Sequence, residues 1–221
     1  MNLETITTKE YDALLASGRS IDVKHGYPKV ILHDDGTVTK LWTNRFKLFS
    51  TSHFSPYAKR FVDVANKLNE FGIATPEVFQ HAQIEGTRVQ LVRYRELPGR
   101  SVRDVIHQSP DELDVPALAQ FYYDLHEQGI LYRSIHFGNV IVCDAGGFGL
   151  IDFTNTYFYR KPISALRRAA NVGTPLRYQD DIEAMKDANM PMLIDSYLKI
   201  YQLDARLKEK FLARVQKRIN A

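Results

Sequence analysis

At residues 97–101, LPGRS, the hydrophobic pattern of this chain changes its period. Before it, short runs rich in β-branched residues dominate: IDVKH, KVILH and VTKLW, with the turn Asp34-Asp35-Gly36-Thr37 between the last two. Asp-Gly between such runs is a hairpin signal. One helix interrupts the strands. From Pro56 to Phe71 the residues Ala58, Phe61, Val62, Ala65 and Leu68 recur on one face, and Gly72 ends the run. PEVFQHAQI and TRVQLVRY then predict a second hairpin around Glu85-Gly86, so the first hundred or so residues read β-β-β-α-β-β.

After LPGRS the period becomes helical. Ser101 is placed to cap a short helix through His107, and Val115 to Gln128 is amphipathic and stopped by Gly129. VIVCD, Gly146-Gly147 and FGLID predict one further hairpin, and from Ile182 onward the pattern is helical again, clearest in MLIDSYLKIYQL and RLKEKFLARVQKRI. No internal repeat or low-complexity segment appears. The pattern supports an α+β fold: a small mixed portion over residues 1–96, then a helical one over 97–221.

Composition narrows the class. With 221 residues, 44% hydrophobic and 25% charged, the chain can bury a real core. A net charge of +3 is too small to argue for nucleic acid, and no binding motif accompanies it. The single Cys143 excludes an intrachain disulfide and fits a reducing compartment. The opening MNLETITTKEYDALL lacks a basic region followed by an apolar run, so no secretory leader is expected, and no apolar run approaches membrane-spanning length. A cytoplasmic protein is the expectation. No paired Cys or His spacing suggests zinc.

Asn139 and Asp152 flank the VIVCD/FGLID hairpin, where both side chains can converge on one point. An amide oxygen beside a carboxylate is a suitable hard-ligand pair for magnesium carrying nucleotide phosphates. Either residue alone is ordinary turn chemistry. Lys40 sits inside the apolar strand VTKLW, facing either solvent or a phosphate partner. Between Thr154 and Gln179 stand five basic residues, Arg160, Lys161, Arg167, Arg168 and Arg177, and no acid. With Tyr157, Phe158 and Tyr159 they read either as a solvated loop or as a cradle for an anionic sugar or phospholipid-like head group.

HFGNVIV, LIDFT, VTKLW and the connector YRELPGRS stand in the order of the bilobal protein-kinase-like fold, and the chain resembles its bacterial small-substrate branch. Within that branch, KRF…ANKLNEFGIATPEV, YRSIHFGNVIV, LIDFTNTYF and RRAANVGTPLRYQDD resemble the lipopolysaccharide core heptose and Kdo kinases and the toluene-tolerance group. The likeness spans about residues 21 to 185, roughly three quarters of the chain. It implies a small antiparallel sheet lobe with one helix that binds ATP, and a helical lobe carrying the catalytic and metal loops. Lys40 would hold the inner phosphates, Asn139 and Asp152 the Mg2+, and Tyr94 to Leu97, including Glu96, the adenine. The acceptor would be a sugar of the lipopolysaccharide inner core, reached at the inner membrane face, with Arg160, Lys161, Arg167, Arg168 and Arg177 on the acceptor side.

Three departures accompany the likeness. The pattern His-x-Asp becomes Tyr132-Arg133-Ser134, so the carboxylate base is replaced by a hydroxyl. The acid nearest the expected helix carboxylate is Asp63, off the apolar face, and the phosphate-covering loop keeps only Gly26, in KHGYPK. A pseudokinase, a binding or scaffolding module that has lost transfer, is therefore the alternative. An aminoglycoside acceptor is disfavoured because a cationic substrate would meet like charge. Phosphoryl transfer depends chiefly on positioning and electrostatics, and a base typically contributes only about 10²–10⁴-fold. His136, two residues from Ser134, shares its face in an extended loop. It either takes the acceptor's proton and meets phosphate, or is a hydrogen-bonded structural histidine.

Overall fold

The computed structural model describes residues 1–24, 26–43, 57–184 and 190–220, which divide into two compact units, Met1–Leu97 and Pro98–Ala221. The first unit contains β1 (Glu4–Ile6), α1 (Thr8–Ala16), β2 (Gly18–Lys24), β3 (Tyr27–His33), β4 (Thr37–Thr43), α2 (Tyr57–Glu70), β5 (Glu77–Ile84) and β6 (Val89–Arg95). Its strands form one six-stranded sheet in the order β1-β5-β6-β4-β3-β2.

All neighbouring strands are antiparallel except β1, which runs parallel to β5. The sheet is thus not antiparallel throughout, and among the described residues the unit has two helices rather than one. The addition lies before Ile21. There Thr7 and Glu10 form a reciprocal capping box: Glu10 N donates to Thr7 Oγ1 (3.2 Å) and Thr7 N to Glu10 Oε2 (2.7 Å). Only Tyr11 of α1 is buried, so its apolar stripe is too thin to stand out in the sequence.

Alternate residues of β4 serve opposite faces of the sheet. Leu41 packs with Ile31, Leu91 and Tyr11 on one face, while the Trp42 ring lies 5.7 Å from Phe61 of α2 on the other. The stripe expected on α2 is buried as written, with Val64 added, and Pro56 lies outside the described residues. Each fully buried Leu or Phe of this kind contributes about 1.5–3 kcal/mol. Gly36 closes the β3–β4 turn at φ 76°, with its N–H donating to His33 O at 3.1 Å.

The second unit holds β7 (Gly99–Ser101), α3 (Val102–Gln108), α4 (Val115–Glu127), β8 (Ile130–Tyr132), β9 (Val140–Cys143), β10 (Phe148–Leu150) and β11 (Thr156–Phe158). It continues with α5 (Ala165–Val172), α6 (Gln179–Ala184), α7 (Met190–Ile200) and α8 (Ala205–Ile219). Ser101 Oγ caps α3 through Asp104 N (3.0 Å), and Asp114 caps α4 through Ala117 N (2.9 Å). β9 and β10 form the expected hairpin, with β7 added on the β9 side, and β8 pairs with β11. After α4, Gly129 turns at φ 75°, and a Cβ there would meet Tyr159 O at 2.3 Å. Only glycine fits.

His126, fully buried on α4, ties these pieces together. Its ring nitrogens meet Tyr197 OH of α7 at 2.7 Å and Asn171 Oδ1 of α5 at 2.9 Å, and Asn171 Nδ2 donates to Tyr132 O of β8 at 2.9 Å. Burial pushes the His126 pKa down to about 4, so the imidazole is neutral at pH 7. A chain of neutral hydrogen bonds thereby fixes the strand that leads into the Ser134 loop. This mixed α+β architecture, an N-terminal sheet followed by a mostly helical C-terminal portion, is the one expected of the kinase-like fold.

Candidate functional site

The segment after β8 is held by its own backbone and by the turn after β10. Ser134 O accepts from His136 N (2.9 Å) and from Asn139 Nδ2 (3.1 Å), and Asn139 N donates to His136 O (2.8 Å). Ile151 N donates to Asn139 O (3.1 Å), Arg133 N to Asn155 O (3.1 Å), and Asn155 Nδ2 to Ser134 Oγ (3.4 Å). From below, the buried Tyr132 hydroxyl donates to Ile151 O at 2.7 Å. Ser134, His136, Asn139 and Asp152 are thus gathered in one corner of the second unit.

Asn139 is 8% exposed and its Nδ2 is committed to Ser134 O, which leaves Oδ1 as the end suited to a cation. Asp152 is exposed and sits at φ 49°, in the left-handed region, at the start of the Phe153–Asn155 turn. A non-glycine residue there carries about 1–3 kcal/mol of strain, which clusters at functional sites. Among the described residues no group of three or more His, Cys, Asp or Glu is placed to hold a metal. One amide oxygen and one carboxylate are a partial shell, which suits magnesium because that ion keeps waters and takes substrate phosphates. The residues fit.

His136 is half-buried, its ring 5.3 Å from the Tyr178 ring, and its Nδ1 is buried with no hydrogen-bond partner among the described residues. Burial, then the charge of Arg103, lowers its pKa, while Asp181 and Asp152 pull it back. An imidazole held neutral in this way can act as a proton acceptor. Arg103 is locked by two bonds to the fully buried Asp181 carboxylate, Nε to Oδ1 at 2.7 Å and Nη2 to Oδ2 at 2.8 Å. A Cβ on Gly138 would lie 3.0 Å from Arg103 Nη1, so the small residue lets the guanidinium rest against the loop. The Arg103–Asp181 clamp joins residues 78 apart and was not foreseen, although the acids of YQDD directly after the basic run are its trace in the sequence.

In the first unit, Lys40 is half-buried on β4, opposite Val30 and Val92, with Nζ 5.7 Å from the centres of the Trp42 and Phe61 rings. It lies on the α2 face of the sheet. Asp63 bonds Lys59 at 2.6 Å on the exposed side of α2. Gly26 is exposed at φ 81° between β2 and β3, and His25 beside it lies outside the described residues. Tyr94, next to last in β6, is half-buried with its ring 5.5 Å from the Phe61 ring, and Glu96 and Leu97 follow in the connector.

The basic stretch divides by burial. Arg160, Lys161, Arg167 and Arg177 are exposed, and Arg167 lies 5.2 Å from the centre of the Tyr159 ring. Arg168 is a correction to the acceptor set: it is 2% exposed, with Nε donating to Ile163 O (2.6 Å) and Nη2 to Glu127 Oε1 (2.7 Å). Its guanidinium lies 4.3 Å from the centre of the Tyr201 ring. α5 turns Arg168 inward because neighbouring helical residues point about 100° apart.

No known family model matches this sequence, and neither does any curated protein. Solved structures do match by backbone. One is the bifunctional kinase-methyltransferase WbdD, 17% identical, with a TM-score of 0.47 over 86% of this chain and 47% of that one. The chain thus spans about half the length of that protein, and the match adds nothing to the architecture already described.

Proposed function

We propose that this protein is an ATP- and magnesium-dependent phosphotransferase whose acceptor is a sugar of the lipopolysaccharide inner core. One observation supports the reading: the Ser134–Asn139 loop is cross-bonded to the Ile151–Asn155 turn, with Ile151 N, next to Asp152, donating to Asn139 O. Asn139 and Asp152 would hold the magnesium, which when bound would offset the phosphate charge. Lys40 would meet the inner phosphates, Gly26 would cover them, and Tyr94, Glu96 and Leu97 would seat the adenine. The exposed Arg160, Lys161, Arg167 and Arg177 suit an anionic acceptor. No described helix is long and apolar enough to cross a membrane, so a lipid-linked acceptor would be met by peripheral contact.

A second reading, a nucleotide-binding scaffold without transfer, is favoured by the Ser134 hydroxyl in the base position and by the engagement of Asp63 with Lys59. Titration with ATP separates binding from its absence. The enzyme reading predicts magnesium-dependent stabilisation in the wild type that Asp152→Ala removes. Equal binding without magnesium and in Asp152→Ala overturns the metal assignment.

A further inference from the structure

On the second unit, α5, α8 and the end of β8 line an open cavity of about 490 Å³ that none of the proposed nucleotide or metal residues lines. Four arginines line it: Arg133 after β8, Arg167 on α5, and Arg214 and Arg218 on α8. Among the described residues, none of the four forms an ion pair with a carboxylate. Among the described residues no acid lines the cavity either. Arg218 Nε donates to Thr174 Oγ1 at 3.3 Å, which steadies its head at the wall.

Gathering four like charges without a counter-charge among the described residues is unfavourable, most of all for the half-buried Arg218. Burial first, and then the charges of Arg177, Arg214 and Arg133, lower the Arg218 pKa. An arrangement that costs stability when empty gains most from a multiply charged anion. Planar guanidiniums match phosphate oxygens two at a time. Each phosphomonoester brings about −1.5 to −2 charges, so two phosphates balance the four arginines. Leu131, Leu166 and Ala170 supply an apolar wall against which a sugar ring face can pack. The volume falls in the range of small-ligand sites, about 300–1,000 Å³.

We infer that this cavity is a binding site for a sugar carrying two phosphate groups, distinct from the Asn139–Asp152 pair. The inference does not depend on the phosphotransferase reading. Calorimetric titration of the full chain in EDTA with inorganic pyrophosphate, then with glucose 1,6-bisphosphate, tests it. One-to-one binding is expected, weakened about tenfold in Arg167→Ala or Arg214→Ala, lost in the double variant, and unchanged in Asp152→Ala. Arg167 and Arg214 are exposed, and a melt of each variant verifies folding. The double variant with lysine at both positions keeps the charge but loses the fork, and should bind between wild type and the double alanine. No binding, undiminished binding in the double alanine variant, or loss in Asp152→Ala overturns the site. Displacement of pyrophosphate by phosphatidic-acid vesicles but not by the sugar bisphosphate overturns the sugar assignment.

Discussion

Replacing Arg168 with alanine removes a charged group from the core of the second unit rather than from an acceptor surface. The structure sets the magnitude. The Nε donor to Ile163 O, at 2.6 Å, is a hydrogen bond from a charged group worth about 1.5–3 kcal/mol. The guanidinium at 4.3 Å from the Tyr201 ring centre adds about 2 kcal/mol when desolvated. The Glu127 pair adds at most about 1 kcal/mol, because that carboxylate side chain is 39% exposed and rehydrates. Against these stands relief of a buried guanidinium whose Nη1 has no hydrogen-bond partner. The net loss is about 3 kcal/mol, at the low end for breaking a buried pair. For 150–250 residues that lowers Tm by roughly 6–12 °C. Melts followed by circular dichroism test it, with Arg177→Ala, at an exposed site, expected to stay within about 0.5 kcal/mol of wild type. An Arg168→Ala protein that melts with the wild type refutes the structural role.

The remaining predictions concern acid stability and the loop. Folded His126 has its pKa near 4, whereas the unfolded chain regains about 6.5, so its contribution is complete above pH 6.5 and lost as pH falls toward 4. The loss reaches about 3 kcal/mol, and His126→Gln should flatten the stability slope in that window; an unchanged slope would assign the acid sensitivity elsewhere. In the loop, Ser134→Asp should leave transfer unchanged or raise it, since a carboxylate there accepts the acceptor's proton. His136→Ala should slow transfer more than Ser134→Ala, and equal losses would remove the role given to His136.

What could be read in advance followed the strength of each pattern. The α2 stripe and the Asp35-Gly36 and Gly146-Gly147 turns were legible because each is a local rule of spacing or backbone conformation. β8 and β11, three residues each, are too short to alternate visibly, yet they carry the loop. Arg167 and Arg168 read as one charge run, but the helix sends one to solvent and the other into the core. The Asn139–Asp152 pair was legible as order along the chain. Its support, His126 through Asn171 to Tyr132, joins residues 45 and 39 apart and has no local signature. The arginine cavity was hidden for the same reason: Arg167 and Arg214 come to one cavity through the packing of α5 against α8.

The most direct test follows the γ-phosphate of labelled ATP onto a lipopolysaccharide core acceptor, with and without magnesium, in the wild type and in Asp152→Ala. The account predicts a phosphorylated acceptor that requires both the metal and the Asp152 carboxylate. Nucleotide that binds in the presence of magnesium while its γ-phosphate reaches neither the acceptor nor water would contradict the enzyme and leave the scaffold.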